Sequence, residues 1–282
     1  MPNPPKLRLG SAGFDITHRA LVMGILNRTP DSFYDKGAHF AMEDFVLRAA
    51  QLVDEGADLL DVGGVKAGPG PQVTPDEEIE RVVPAIEALH RRFDVPLSVD
   101  TWSATVARAS FEAGAVVGND ISGFADPEYL HTAAKAEATV VATHIRLRPR
   151  VPDPNPTYCD VVRDVATFLT DAAARAEASG IAPDRIVVDA GLDLGKNAEQ
   201  SLALLRASDR LACLGYPLLL SASNKTFLGR LLDLEIDERR GASLAAAALG
   251  VTRGARIVRA HDVKGTRRVV DTIAAVLDDE GM

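Results

Sequence analysis

The stretch RALVMGIL, Arg19–Leu26, decides the fold class of this 282-residue chain. It is a short, almost continuous apolar run, which is typical of a strand buried on both faces of a parallel sheet. Seven further runs of this kind follow along the sequence, so we expect eight strands in all. The seven are Leu59–Val62, Leu97–Val99, Val116–Gly118, Thr139–Thr143, Arg185–Val188, Pro217–Leu220 and Arg256–Val258.

Longer segments with helical periodicity separate these strands. Several end at a glycine, as at Gly56, Gly114 and Gly180, and glycine is favoured one position beyond a helix end. Eight strand–helix units in roughly 250 residues fit a closed (β/α)8 TIM barrel of the α/β class better than an open doubly wound sheet. We predict one domain over residues 1–282. The predicted helices are Met42–Glu55, Asp76–Arg92, Ser103–Ala113, Pro127–Ala136, Tyr158–Ser179, Ala198–Arg206, Glu238–Arg253 and Gly265–Asp278.

Composition argues against several classes of partner. The net charge of −9 disfavours nucleic acid, because binding to phosphates needs a basic surface. No apolar run reaches the roughly 18 residues of a membrane span, and the N-terminal MPNPPKLRLG lacks the apolar stretch of a signal peptide. We therefore expect a cytoplasmic protein. Cys159 and Cys213 stand alone, so we expect reduced thiols rather than a disulfide or a metal site.

Polar residues follow every predicted strand. In a barrel of this class, chemistry takes place at the carboxyl ends of the strands. Each residue alone is typical of a helix cap, a turn or a buried histidine, but their recurrence at every strand end predicts one shared mouth. The residues are Asn27, Asp61, Asp100, Asn119 with Asp120, His144, Asp189, Ser223 with Lys225, and Arg259 with His261.

The two signs of charge suit two parts of a ligand. Asp100, Asn119 and Asp189 suit a heterocycle that is rich in N–H donors. Arg259 and His261, with Lys225 nearby, suit a phosphate or diphosphate, and the last two loops are the usual phosphate site of such barrels. The sequence lacks both GxxxxGK[ST] and a strand-linked GxGxxG, so an ordinary nucleotide site is not expected.

Seven motifs stand in the order and spacing of a known family. Residues ~19–275 resemble dihydropteroate synthase, which joins 6-hydroxymethyl-dihydropterin diphosphate to p-aminobenzoate in folate biosynthesis. The motifs are MGILNRTPDSF (23–33), DVGG (61–64), SVDT (98–101), NDISG (119–123), DAG (189–191), KTFLG (225–229) and RAHDV (259–263).

The resemblance implies specific roles. An active member is a magnesium-dependent transferase and a homodimer, in which diphosphate leaves first and the arylamine then attacks a carbocation-like carbon. Asp35 is implied to steady that carbon, and Lys225 to have a catalytic role beside its pterin contact. The implied pterin ligands are Asp100, Asn119, Asp189 and Lys225, and the implied diphosphate ligands are Asn27, Arg259 and His261, with Asn27 also at the Mg²⁺ ion.

The loop after the second predicted strand departs from the family pattern. The family reads Val-Gly-Gly-Glu-Ser-(Ser/Thr)-Arg-Pro-Gly, whereas this chain reads VGGVKAGPG over 62–70. Gly68 therefore replaces an arginine that, in the family, reaches towards the diphosphate. Lys66 restores a positive charge but not the paired donors of a guanidinium group. Further changes near the mouth are Tyr34, Lys36, Thr143, Asp193, Leu194 and Asn224.

The retained residues stand at strand ends, and the changed ones stand on loops and at the rim. This division indicates a divergent, paralogous copy that binds a pterin-like or phosphorylated small molecule with little or no synthase turnover. Three alternatives stay open: an active synthase in which Lys36 and Lys66 replace the lost arginine, a non-catalytic barrel that docks a partner, and a pterin-binding methyltransferase domain. The KTF and RAHD motifs argue against the last.

Two features leave their function undecided. Arg146, Arg148 and Arg150 alternate on a proline-rich loop, where arginines are either solvated or guide an anion to the mouth. The alanine-rich segment Gly241–Leu249 packs either on the barrel or against a second subunit.

Overall fold

Eight parallel strands close into a barrel in a computed structural model that describes residues 6–28 and 37–277. The described residues form ten strands, of which the last eight make the barrel: β1 (Lys6–Leu9), β2 (Ala12–Asp15), β3 (Leu21–Asn27), β4 (Leu59–Gly63), β5 (Leu97–Asp100), β6 (Val117–Asp120), β7 (Thr139–Thr143), β8 (Ile186–Asp189), β9 (Leu218–Leu220) and β10 (Ala255–Ala260). Strands β3 to β10 pair in sequence order, and β10 pairs with β3 to complete the circle. The predicted TIM barrel is confirmed, and the open sheet is wrong.

Helices connect the barrel strands and cover their outer faces. They are α1 (Gly37–Asp54), α2 (Pro75–His90), α3 (Ala104–Glu112), α4 (Tyr129–Lys135), α5 (Val161–Ala178), α6 (Ala198–Arg206), α7 (Ser208–Ala212), α8 (Thr226–Leu232), α9 (Arg240–Thr252) and α10 (Val263–Leu277). Outward-facing strand residues such as Leu60 and Val99 are fully buried beside Ile86 of α2. None of the helices in the described part of the chain has the length and apolar character needed to cross a membrane.

The strand register places the polar strand-end residues inside the barrel. Alternate residues of each strand face the interior. Near the amino-terminal end the interior is an apolar layer, and on four of the strands the residue two positions further along is polar. These residues are Asp61 above Leu59, Asn119 above Val117, Asp189 above Val187 and Arg259 above Ile257.

An N-terminal hairpin that the sequence did not reveal closes the other end of the barrel. Strands β1 and β2 pair antiparallel and bury Leu7, Leu9 and Ile16 against the apolar interior layer. The Thr139 hydroxyl, at the start of β7, donates to the carbonyl of Arg8. Strands of only four residues with mixed charge give too little periodicity to be recognised before their packing is known.

Candidate functional site

Three of the residues predicted for the site, Arg259, Asp100 and Asn119, form one hydrogen-bonded group with Asp61 at the carboxyl end of the barrel. Arg259 lies at its centre. Its Nε donates to Asp61 Oδ2 at 2.6 Å, and its Nη2 donates to Asp100 Oδ2 at 2.8 Å. Asn119 Nδ2 donates to the same Asp61 oxygen at 3.1 Å. Asn27 lies beside this group: a Cβ built on Gly63 would be 3.3 Å from Asn27 Oδ1 and 3.5 Å from Asp100 Cβ.

Asp61 organises this group, although the sequence assigned it no ligand role. It is completely buried and also accepts a hydrogen bond from Ser98 Oγ at 2.5 Å. A buried carboxylate is stable only when paired and hydrogen-bonded. An aspartate inside the apolar strand β4 is therefore the signal that predicts a cation in the same layer, and Arg259 is that cation.

The acceptors of the site are shifted towards their protonated forms. Burial raises the pKa of Asp100 to about 7, against the opposing effect of Arg259 and with further raising by Asp61 and Glu78. Burial also raises the pKa of Asp189, whose Oδ1 accepts from the amide of Gly191 at 2.8 Å. Such carboxyls gain most from a ligand that brings its own N–H donors.

The cations near the last two loops are held by the protein itself. Lys225 Nζ donates to the carbonyl of Leu192 at 3.0 Å, and burial lowers its pKa. His261 Nδ1 lies 3.0 Å from Ser223 Oγ, and burial, with Arg259 and Lys225, lowers the pKa of His261 to about 4. A pKa this low leaves His261 mostly neutral at pH 7 without a ligand, and its predicted role as a diphosphate ligand stays a prediction.

A buried lysine joins the ends of β7 and β8 beside the site. Lys196 Nζ lies 2.8 Å from His144 Nδ1 and donates to the carbonyls of Gly191 and Leu194 at 2.9 Å each. Burial lowers the pKa of Lys196 to about 7 and that of His144 to about 3. His144 is thus a neutral hydrogen-bond acceptor with a structural partner.

Two of the changed rim residues have structural explanations. Asp193, at φ 66°, directs its carboxylate to the start of α8, where it accepts from the amides of Thr226 at 2.5 Å and Phe227 at 3.2 Å. This new charge therefore caps the start of a helix. Asn224, at φ 57°, occupies the left-handed region, which asparagine tolerates better than arginine.

Gly68, in contrast, stands in open space. A Cβ built on it meets nothing within 4 Å, so no steric constraint explains the loss of the arginine there. Thr143, where the family has methionine, is buried. Asp35, Tyr34 and Lys36 lie outside the described residues.

The donor set near Asn27 limits the kind of metal site that is possible. Within residues 6–28 and 37–277, no group of three or more His, Cys, Asp or Glu side chains is arranged to hold a metal ion. Asn27 is exposed at the end of β3 and offers one amide oxygen. This fits Mg²⁺ only in a site where substrate phosphates and water supply most of the ligands.

Comparison with known proteins assigns the family. The family model described as pterin binding enzyme matches residues 23–261. A Mycobacterium leprae protein named "Inactive dihydropteroate synthase 2" is 46% identical over 264 residues, which cover 92% of this chain and 91% of that protein. The Synechocystis dihydropteroate synthase is 39% identical over 269 residues, 94% of this chain and 93% of that one.

A solved structure agrees with this assignment. Xanthomonas albilineans dihydropteroate synthase in complex with 7,8-dihydropteroate superposes with a TM-score of 0.87 at 38% identity, over 97% of this chain and 99% of that chain. The family match over residues 23–261 contains every described residue of the site. The chain therefore belongs to the pterin binding enzyme family, as a divergent homologue of dihydropteroate synthase.

Proposed function

We propose that this chain retains a pterin pocket and has lost most or all dihydropteroate synthase activity. The observation that carries the proposal is the contrast between the barrel interior and its rim. Asp100, Asn119 and Asp189 are retained at strand ends that the barrel fixes rigidly, whereas the loop arginine at position 68 is a glycine. The 46% identity to a protein named inactive supports the same conclusion.

The pterin half of the proposed site depends on complementary hydrogen bonds. A pterin presents an amino group and ring N–H groups, which pair with the carboxylates of Asp100 and Asp189. Asn119 uses its Nδ2 on Asp61, which leaves its Oδ1 as an acceptor. Lys225 supplies a donor to a ring acceptor. The bound dihydropteroate of the Xanthomonas relative supports a ligand of this class.

The diphosphate half of the proposed site is weaker than in a working synthase. Asn27, Arg259 and His261 are its proposed ligands, but Arg259 is engaged by two carboxylates and His261 is neutral. Losing one bidentate arginine typically costs about 1.5–3 kcal/mol. Mg²⁺, held in part by Asn27, would neutralise charge on the diphosphate when bound.

The remaining assignments also belong to the proposal. Asp35 would steady a developing cation in any residual turnover, with Lys225 beside the pterin ring. We propose a cytoplasmic homodimer, and exposed apolar residues of α8, α9 and the segment between them support association with a second copy. These residues are Leu231, Leu232, Ile236 and Leu249.

A turnover assay tests the proposal. The purified protein is incubated with 6-hydroxymethyl-dihydropterin diphosphate, p-aminobenzoate and Mg²⁺, and dihydropteroate is quantified, with the Synechocystis enzyme as the positive control. We expect turnover below about 10⁻³ s⁻¹, against the roughly 1–10³ s⁻¹ that is typical of enzymes. Turnover within that typical range would support the active synthase instead, in which Lys36 and Lys66 replace the lost arginine.

A further inference from the structure

The loop after β7 reaches across the mouth to the loop after β4 through one arginine. We name residues 144–160 the β7 loop and residues 64–74 the β4 loop. Arg150 Nη2 donates to the carbonyl of Pro71 at 2.6 Å, and Nη1 donates to the carbonyl of Lys66 at 3.4 Å. One rigid guanidinium thus joins both ends of the segment that contains Gly68.

A glycine of the β4 loop makes this contact possible. A Cβ built on Gly70 would lie 2.6 Å from Arg150 Nη2, which is closer than non-bonded atoms approach. The backbone of Gly70 does not adopt a positive φ, so glycine is needed there for space and not for conformation. An alanine would fit the backbone and displace the end of the flexible arginine side chain.

The β7 loop is braced on its own side, so the arginine extends from a fixed support. Arg146 binds Asp153 through two hydrogen bonds of 2.5 and 2.6 Å, and Tyr158 Oη donates to the carbonyl of Gly195 at 2.7 Å. Arg150 itself has φ 66°, a conformation that costs free energy in a non-glycine residue and persists where surrounding contacts determine it.

Arg148 provides a natural comparison on the same loop. Its side chain is exposed and, within the described part of the chain, makes no hydrogen bond or ion pair with another residue. The three alternating arginines therefore differ in kind: Arg146 stabilises its own loop, Arg148 is solvated, and Arg150 binds the backbone of another loop. From the sequence alone, the same two roles had been open to all three arginines.

We propose that Arg150 is a positioning residue that clamps the β4 loop in one conformation before any ligand arrives. The loop has no arginine of its own at position 68, and a guanidinium from a different loop now fixes the ends of the segment. The clamp acts through backbone carbonyls, so it sets the position of the loop independently of which ligand the barrel binds.

Limited proteolysis with endoproteinase Lys-C tests the clamp. This protease cleaves after lysine, so substitution of an arginine leaves the number of sites unchanged, and cleavage after Lys66 reports opening of the β4 loop. For Arg150→Ala we expect cleavage after Lys66 to accelerate about three- to tenfold. Cleavage after Lys135, Lys196 and Lys264 stays at the wild-type rate, as does all cleavage in the matched control Arg148→Ala.

A second variant perturbs the same contact from the other side. Gly70→Ala leaves Arg150 in place but displaces its guanidinium, so we expect the same acceleration at Lys66. The double variant Gly70→Ala/Arg150→Ala should cleave no faster than either single variant, because both remove one interaction. Wild-type cleavage after Lys66 in Arg150→Ala, or equal acceleration in Arg148→Ala, would overturn the proposal.

Discussion

Arg259 and Asp100 form an ion pair across the barrel mouth, with Nη2 2.8 Å from Oδ2. The sequence assigned these residues to different halves of a ligand, the anion and the heterocycle. In the structure the two residues bind each other, and Arg259 Nε also lies 2.6 Å from Asp61 Oδ2, deeper in the barrel. A ligand whose N–H donor replaced Arg259 at Asp100 Oδ2 would free that guanidinium nitrogen for an anion, and binding in the two halves of the site would then be energetically linked.

Removal of Arg259 tests how strongly the ion pairs support the fold. Arg259→Met leaves Asp61 and Asp100 buried without their cation, and breaking such a pair typically costs about 3–5 kcal/mol. We expect a loss of this size in the free energy of unfolding measured in urea.

Arg256→Met is the matched control, because Arg256 lies on the same strand but its side chain, among the described residues, donates only to the carbonyls of Val251 and Ala255. Its loss should be about 1 kcal/mol. Adding Asp61→Asn to Arg259→Met should recover part of the stability. Equal losses in the two arginine variants would contradict the role of the pair.

Ligand affinity should depend on pH through Asp100. Burial raises its pKa to about 7, so the carboxyl is protonated below that pH and cannot accept two N–H donors. The affinity for 6-hydroxymethylpterin should therefore fall about tenfold between pH 8 and pH 6, as the ionised fraction falls. Calorimetry at several pH values measures this, and Asp100→Asn should be weak and independent of pH. A flat profile in the unmodified protein would exclude the carboxylate as the binding form.

Restoring an arginine to the β4 loop should strengthen anion binding. The open space around Gly68 admits the side chain, so Gly68→Arg is expected to bind inorganic diphosphate with Mg²⁺ about tenfold more tightly. Gly68→Gln, of similar size without charge, is the control. If glutamine improves the affinity as much as arginine does, the missing charge is not what weakens the diphosphate half of the site.

Lys196 should contribute to stability although it stands beside the site. Lys196→Met leaves the carbonyls of Gly191 and Leu194, and His144 Nδ1, without their buried donor. We expect a cost of about 2–4 kcal/mol in thermal or urea unfolding. Lys264→Met, at an exposed position of α10, should change stability by less than about 0.5 kcal/mol. Similar losses in both variants would argue against the buried network.

The barrel and its mouth could be predicted from the sequence because both follow from the two-residue alternation of side chains along a strand. An apolar residue such as Val187 inside the barrel places Asp189, two positions on, in the interior as well. The strand ends therefore identify the mouth without any knowledge of packing. The pairing of Arg259 with Asp61 and Asp100 could not be predicted, since these partners are 198 and 159 residues away along the chain.

The contacts of the loops could not be predicted either, because their partners are also distant along the chain. From the sequence, Asp193 is a charged residue near the predicted pocket. In the structure its carboxylate accepts a hydrogen bond from the first residue of α8, so it is a helix cap. Arg150 is indistinguishable from Arg148 in the sequence, and only the position of the β4 loop separates a clamp from a solvated side chain. Local pattern determines where these residues lie along the chain, but tertiary packing determines their partners.

The pocket itself is tested most directly by titrating 6-hydroxymethyl-dihydropterin diphosphate, with Mg²⁺ and without p-aminobenzoate, into the unmodified protein and into Asp100→Ala. We predict saturable binding of one ligand per chain in the unmodified protein and at least about a tenfold loss of affinity in the variant, since a buried hydrogen-bonded acceptor is removed. Absence of binding to the unmodified protein, or equal affinity in both, would contradict a retained pterin pocket.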